Sequence, residues 1–224
     1  LDIKPGGVYV DVTFGGGGHS REILSRLGEE GKLFAFDQDP DAHENTIDDK
    51  RFVLIGENFR YITRFLRFYG VKKVDGVLAD LGVSSHQFDA AERGFSTRFD
   101  ADLDMRMDQK SRLSAKRIIN KYDEKDLADV LFLYGELRNA RVLAKTIVEA
   151  RLNGEIKTSF QLKEVLQRFL PKAKEHKILA QIFQAIRIEV NQELEVLKEF
   201  LNQIPDLLNE DGRLSVISYH SLDD

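Results

Sequence analysis

The chain has 224 residues, of which 42% are hydrophobic, and its formal net charge is −5. It contains no cysteine, which excludes disulfide frameworks, thiolate metal sites and thiol nucleophiles. It also has no apolar run near the ~20 residues that cross a bilayer, and no signal peptide at its start. These features predict a cytoplasmic protein of one or two domains with no membrane partner. Because the chain opens on Leu1 and stops at Asp224, we expect a fragment of a longer protein.

The first hundred residues alternate between short apolar segments and amphipathic ones. Four segments have the length and apolar content of buried strands, and two of the stretches between them carry apolar residues at helical spacing. Strands joined by helices form parallel sheets through right-handed crossovers. The pattern therefore predicts a doubly wound α/β sheet, with strands at Val8–Val12, Lys32–Phe36, Phe52–Ile55 and Val74–Ala79.

From about Ser114 onward the strand-like segments disappear and the sequence has features typical of helices. Thr158 and Gln161 form a capping-box pattern, and apolar residues recur at three- or four-residue spacing from Ile178 to Leu201, which predicts one long helix. After Pro205 the pattern becomes a turn followed by a strand. We therefore predict an all-helical insertion at 109–204 within a sheet domain of 1–108 and 205–224, with the turn at Asn209–Gly212 and the strand at Arg213–Tyr219.

Four consecutive glycines, Gly15–Gly18, lie between the first predicted strand and the first predicted helix. Glycines let the backbone approach a ligand closely, and the N-terminus of the following helix favours an anionic group. A tight turn alone needs only one or two glycines. The run lacks the Lys-Ser/Thr ending of a phosphate loop, and Ser20 stands where a dinucleotide fingerprint has its third glycine. A cofactor other than a nucleoside triphosphate or NAD is favoured.

Two acidic residues end predicted strands. Asp37 closes the second strand nineteen residues after Gly18, the placement from which an acid accepts hydrogen bonds from a ribose. Asp80 ends the fourth strand, at the edge of the sheet where α/β proteins bind ligands. An isolated Asp after a strand is usually a turn former, so the combination with the glycine run carries the argument for an adenosine-containing ligand.

Five segments along the chain form a series of motifs. They are Val10–Ser20 with its glycine run, Glu92–Ser96, Leu103–Asp108, Arg187–Leu194 and Ser218–Leu222. In this order they resemble the motifs of the bacterial 16S ribosomal RNA cytosine-N4 methyltransferases, and the resemblance spans nearly the entire chain. It implies a Rossmann-like methyltransferase sheet interrupted by a helical domain, in agreement with the pattern of elements.

The resemblance implies S-adenosylmethionine as cofactor and 16S ribosomal RNA, or the small ribosomal subunit, as substrate. It also implies which positions contact the cofactor. These are Gly17, Gly18 and His19 for the methionine end, Asp37 for the ribose, Phe59 beside the adenine, and Asp80 and Gln87 to complete the pocket.

The N4 amine of cytosine is a poor nucleophile because its lone pair is delocalised into the ring. A carboxylate that accepts an N4–H hydrogen bond assists methyl transfer and can receive the proton. Asp80 is the first candidate because of its place at the end of a strand, and Asp104 is the second. No Cys or second His lies near His19 at metal-ligand spacing, so we predict no metal.

Basic residues suggest where RNA binds. Residues 109–204 carry a net charge of +5 and the remainder −10, which favours RNA contact by the helical segment or, equally, an ordinary solvated helix surface. Arg93 and Arg106, together with Arg98, are candidates to contact substrate phosphates. Ion pairs with Asp100, Asp102 and Asp108 are at least equally favoured, because charge-dense loops commonly pair internally. His220 follows the last strand and is also predicted to face the substrate.

Two other classes of function remain open from the sequence. An NAD-dependent oxidoreductase would share the glycine turn and Asp37, although its glycine spacing differs and a pair of residues for hydride transfer is missing. A non-catalytic RNA-binding module would explain the basic segment but not a cofactor pocket.

Overall fold

The computed structural model describes residues 1–83 and 91–218, and the chain divides into two compact units. Unit 1 consists of Leu1–Ser84 and Leu194–Asp224, and unit 2 of Ser85–Glu193. The unit boundaries differ from the predicted insertion at 109–204. Leu197, Phe200 and Ile204 belong to the core beside the sheet, so the segment after residue 193 is part of unit 1.

Unit 1 is built on five parallel strands in the order β3-β2-β1-β4-β5, which confirms the predicted doubly wound α/β sheet. From β1 the chain adds β2 and β3 on one side, and it then adds β4 and β5 on the other side of β1. The order of strands therefore reverses between β1 and β4, where such sheets form a crevice for ligands. The strands are β1 Val8–Asp11, β2 Lys32–Phe36, β3 Phe52–Ile55, β4 Val74–Asp80 and β5 Leu208–Ile217.

Helices cover both faces of the sheet because side chains alternate along each strand. On β2, Phe34 and Phe36 pack in one core and Leu33 and Ala35 in the other. The first core is completed by α2, α8 and α9, and the second by α1. These helices are α1 Gly18–Arg26, α2 Ile62–Phe68, α8 Glu193–Leu201 and α9 Ile204–Leu207, with 3-10 turns at Pro40–Asn45 and Phe59–Tyr61.

The described part of unit 2 is mainly helical. Its helices enclose a core of buried leucine and isoleucine side chains, including Leu127, Leu143 and Ile182. The predicted capping box is confirmed: the Thr158 hydroxyl and the Gln161 side chain each accept a backbone N–H of the other. The helices are α3 Ala115–Lys121, α4 Glu124–Leu133, α5 Ala140–Ala150, α6 Ser159–Leu166 and α7 Glu175–Asn191, with 3-10 turns at Ala91–Arg93, Arg151–Asn153 and Gln167–Phe169.

Two predicted elements differ from the structure. The single long helix is wrong, because α7 ends where Gln192 adopts a left-handed conformation with φ 52° and α8 begins at the next residue. The predicted turn at Asn209–Gly212 lies inside β5 as an irregularity: Leu208 pairs with Val74 and Arg213 with Gly76, and ladder pairing continues on its far side. Tyr219, the predicted end of that strand, lies outside the described residues. None of the described helices is both long and apolar enough to span a membrane.

Candidate active site

The carboxyl ends of β1 and β4 place two aspartates at the switch point of the sheet. Asp11 is the last residue of β1, and Asp80 is the last residue of the adjacent β4. Thr13 joins the two strand ends, because its hydroxyl oxygen accepts a hydrogen bond from the Asp80 backbone N–H at 2.7 Å. The acid that the sequence places at the ligand-binding edge is therefore held against the start of the glycine loop.

The glycine loop requires glycine for its backbone shape. Gly15 and Gly17 have φ values of 49° and 74°, in the left-handed region that side chains disfavour. A β-carbon at Gly17 would also lie 2.7 Å from a guanidinium nitrogen of Arg21 and 3.0 Å from the Phe14 ring. At Gly16 and Gly18, by contrast, no described atom lies within 4 Å of such a β-carbon. The loop is closed on its protein side and open on the other, as a cradle for a ligand must be.

Asp11 is fully buried and forms hydrogen bonds with residues on both sides of the glycine run. One carboxylate oxygen accepts the Ser20 hydroxyl at 2.7 Å and the other accepts the Thr13 backbone N–H at 3.1 Å. Burial raises the pKa of Asp11, and these two hydrogen bonds oppose the rise. Sequence reasoning assigned no role to Asp11, Thr13 or Ser20, although Asp11 ends its strand in the same way as Asp80.

Asp37 follows β2 and contacts the same loop. Its Oδ2 accepts the Gly15 backbone N–H at 2.8 Å, and its Oδ1 accepts the Asp39 N–H at 2.9 Å. Asn45 adds a hydrogen bond from its side-chain amide to the Gly15 carbonyl at 3.1 Å. Burial raises the pKa of Asp37 against the effect of those two N–H groups. The glycine run and the acid that the sequence links are thus in direct contact.

The two carboxylate oxygens of Asp80 have different surroundings. Oδ2 lies 3.3 Å from Nε2 of His19, whose side chain is half exposed at the start of α1. Oδ1 is buried, and no hydrogen-bond partner reaches it from residues 1–83 or 91–218. Buried polar atoms are rarely left unpaired in native proteins, so this oxygen indicates a position for a ligand or substrate donor.

Phe59 lies at the border of the core. Its ring contacts Phe200 edge to face, with 5.2 Å between centroids, and it is only partly buried. The preceding residue, Asn58, caps the 3-10 turn. Its side-chain amide donates a hydrogen bond at 2.8 Å to the side chain of Gln38, the residue that follows Asp37. Phe59 therefore has a structural role in the core, and its contact with adenine stays a prediction.

The predicted substrate arginines belong to unit 2, where both have structural partners. Arg106 forms a two-pronged ion pair with Asp104, at 2.6 and 2.8 Å, in place of the predicted pairing with Asp100, Asp102 or Asp108. Its remaining nitrogen donates to the carbonyls of Gln109 and Ser111. Arg93 is 8% exposed and donates to the Arg106 carbonyl at 2.8 Å.

The Arg106 ion pair determines the acidity of Asp104. Partial burial alone would raise the pKa of this carboxyl group. The hydrogen bonds and the charge of Arg106 outweigh that effect, so the pKa of Asp104 is lowered. Asp104 is consequently a weak base.

Gln87 and His220 lie outside the described residues. Within the described ranges, no three His, Asp or Glu side chains are grouped as ligands for a metal ion. That the reaction proceeds without a metal stays a prediction.

Comparison with known proteins places the chain in a family. Ribosomal RNA small subunit methyltransferase H of Flavobacterium johnsoniae is 69% identical over the whole chain, which covers 74% of that protein. Its namesakes in Flavobacterium psychrophilum and Bacteroides fragilis are 68% and 54% identical over the whole chain, which covers 77% and 74% of them. The model of the MraW methylase family matches residues 1–224, so the chain belongs to the MraW methylase family.

Proposed function

We propose that this protein transfers a methyl group from S-adenosylmethionine to the exocyclic N4 of a cytosine in 16S ribosomal RNA. The family gives the reaction class, and the relatives' names give the RNA of the small subunit. The observation that carries the chemistry is the unpartnered Oδ1 of Asp80 at the switch point of the sheet. Because ribosomal RNA is the substrate, we also propose a cytoplasmic location.

The residues at the switch point fit the cofactor. The open side of the glycine loop and the N-terminus of α1 suit the carboxylate of the methionine end. Asp37 accepts two backbone N–H groups and still has lone pairs for ribose hydroxyls. When bound, S-adenosylmethionine supplies a methyl group activated by its sulfonium. Gly17, Gly18, His19, Asp37 and Phe59 are the proposed contacts.

Asp80 is the proposed proton acceptor. Its Oδ1 can accept one N4–H of the target cytosine, which draws electron density onto the nitrogen and orients its lone pair. His19 restrains the same carboxylate through Oδ2. Both oxygens of Asp104, the alternative acid, are already engaged by Arg106, and its pKa is lowered. The structure therefore favours Asp80 over Asp104.

Two experiments separate this proposal from the other classes of function. Titration with S-adenosylmethionine and with NAD identifies the cofactor, and an oxidoreductase would bind only NAD. The second experiment removes Asp80 and measures both RNA methylation and RNA affinity. Loss of methylation with unchanged RNA affinity would exclude a non-catalytic RNA-binding protein.

The ribose assignment predicts a weaker cofactor complex when Asp37 is removed. Asp37→Ala should weaken binding of S-adenosylhomocysteine by about 1–3 kcal/mol, because hydrogen bonds to the ribose hydroxyls are lost. Isothermal titration calorimetry measures this change.

A control is needed because Asp37 also holds Gly15. The cofactor analogue that lacks the 2′-hydroxyl should bind the native protein less tightly, but should lose less affinity in Asp37→Ala. If the two losses add independently, Asp37 supports only the loop and the ribose assignment is wrong.

The basic face of α3 is proposed to contact RNA. Arg117 and Lys121 are exposed, and the partly exposed Lys116 lies 3.3 Å from Glu155. Reversing Lys116, Arg117 and Lys121 to Glu should weaken RNA binding and reduce its salt dependence, since each phosphate contact releases counterions. The matched control reverses the exposed Lys172, Lys174 and Lys177 of the same unit. Equal effects of both variants would show that only net charge matters.

A further inference from the structure

A second basic surface lies on unit 1, outside the segment whose charge first suggested RNA binding. Between Glu57 and Asp75 there are five Lys or Arg residues and no acidic residue, although the net charge of the whole chain is −5. The segment contains α2 and the turns at its two ends. It also carries the aromatic residues Tyr61, Phe68 and Tyr69.

α2 presents these residues on one side. Ile62 and Leu66 are fully buried against the sheet. Arg64, Arg67 and Phe68 are exposed, and their spacing of three and four residues places them together on the opposite face. Tyr69, at 44% exposure, and Lys72 extend the surface beyond the helix. We call these five residues the α2 face.

The α2 face is held in place by other elements of unit 1. Gln203 accepts the Thr63 backbone N–H at 3.3 Å and donates to the Arg60 carbonyl at 2.8 Å. The Arg60 guanidinium forms an ion pair with Glu199 of α8, with an Nε–Oε2 distance of 2.7 Å. These contacts join the start of α2 to α8 and to the residue that precedes α9.

The positive charge of the face is not neutralised within the described chain. Glu199 compensates Arg60, and Lys73 donates to the Leu208 carbonyl. For Arg64, Arg67 and Lys72, no carboxylate among the described residues lies within 4 Å. Beside them, the Phe68 ring is 81% exposed and contacts Tyr69 edge to face, with 5.3 Å between centroids. The α2 face therefore combines an exposed aromatic ring with cations that no described carboxylate neutralises.

We propose that the α2 face binds a single-stranded segment of RNA. Arg64, Arg67 and Lys72 contact successive phosphates, and an unpaired base stacks on Phe68. The inference rests on the proposed function only in taking RNA as the partner. It adds a contact surface on the sheet unit to the one proposed on α3.

An anionic membrane is the other partner that basic and aromatic residues attract. A membrane-binding helix needs a broad apolar face for insertion. The apolar face of α2 is already buried in the protein, through Ile62 and Leu66. The exposed rings of Phe68, Tyr61 and Tyr69 do not amount to the broad apolar face that insertion needs. The chemistry of the face favours RNA.

The test reverses the charges of the face in the full chain. Arg64→Glu, Arg67→Glu and Lys72→Glu together should weaken binding to a labelled single-stranded RNA of small-subunit sequence by at least about tenfold. The slope of log affinity against log salt should fall by about two, as expected for three lost phosphate contacts to a single strand. The control variant reverses the exposed Lys4, Lys32 and Lys50 of the same unit.

Phe68→Ala tests the stacking contact separately. Loss of one stacked base should weaken RNA binding by about tenfold, while the salt slope stays unchanged because no phosphate contact is removed. Binding of S-adenosylhomocysteine should be unaffected in every variant, which shows that unit 1 remains folded.

The outcomes distinguish this inference from the proposed function. If the charge-reversed variant binds RNA as tightly as its control, the inference is overturned, whether or not the native protein methylates RNA. If that variant instead loses binding to phosphatidylserine vesicles and keeps RNA binding, the face is a membrane surface. If RNA binding is lost as expected while the native protein methylates no RNA, the α2 face is supported and the proposed reaction fails.

Discussion

Asp80→Asn is expected to lower the single-turnover rate of methyl transfer by about a hundredfold or more, as befits the loss of a positioned base. The amide has nearly the shape of the carboxylate, so the hydrogen bond from the Asp80 backbone to Thr13 should persist. The carboxamide of Asn, unlike the carboxylate of Asp80, cannot receive a proton from the amine. Affinity for the cofactor should fall less than the rate.

Rapid-quench measurement at saturating cofactor, on a small-subunit RNA substrate, gives the rate directly. Asp104→Asn is the matched control, because it makes the same change in the acid that Arg106 already engages. A nearly normal saturated rate for Asp80→Asn, with weakened cofactor binding, would show that Asp80 holds the cofactor instead. The proton acceptor would then have to be Asp104 or a backbone carbonyl after β4.

Asn191→Ala is expected to lower the free energy of unfolding by about 2–4 kcal/mol, since three backbone groups, all of them buried or partly buried, lose their partner. The Asn191 side chain accepts the Met107 N–H and donates to the Met105 carbonyl, both at 2.8 Å, and also donates to the Arg187 carbonyl at 2.9 Å. Met105 itself is fully buried with a φ of 58°. Asn191 of the motif Arg187–Leu194 thus stabilises the motif Leu103–Asp108.

Urea unfolding followed by circular dichroism measures this effect, with Asn153→Ala as the control at an exposed position of the same unit. Cofactor binding to unit 1 should be retained. Unchanged stability with a large loss of RNA methylation would contradict the structural role and assign Asn191 to substrate contact.

The parallel sheet was predictable because its strands are short, apolar and separated by clear turn residues. β2 and β3 have the predicted bounds, and β1 and β4 differ by one residue at their ends. The break at Gln192 was not predictable from periodicity, because the apolar stripe continues across it and no glycine marks the left-handed position. The irregularity in β5 was also hidden, since its Asp-Gly pair is typical of a turn that ends a strand.

The candidate site was only partly predictable. Parallel strands bring their carboxyl ends together, so the glycine loop, Asp37 and Asp80 were expected to meet, and the contact of Asp37 with Gly15 agrees with that. The link through Thr13 depends on the tertiary pairing of β1 with β4, which spacing alone does not give. Arg93 and Arg106 were ambiguous because charged loops often pair internally. In the structure Arg106 pairs with Asp104, and Arg93 donates to the Arg106 carbonyl.

The most direct test of the central claim is a mass-spectrometric map of 16S ribosomal RNA from cells that lack this protein. In these cells one cytosine should lack the mass of a single methyl group at N4. The native protein should restore that methyl group, and Asp80→Asn should fail to do so. An unchanged map of cytosine methylation in these cells would contradict the proposed function.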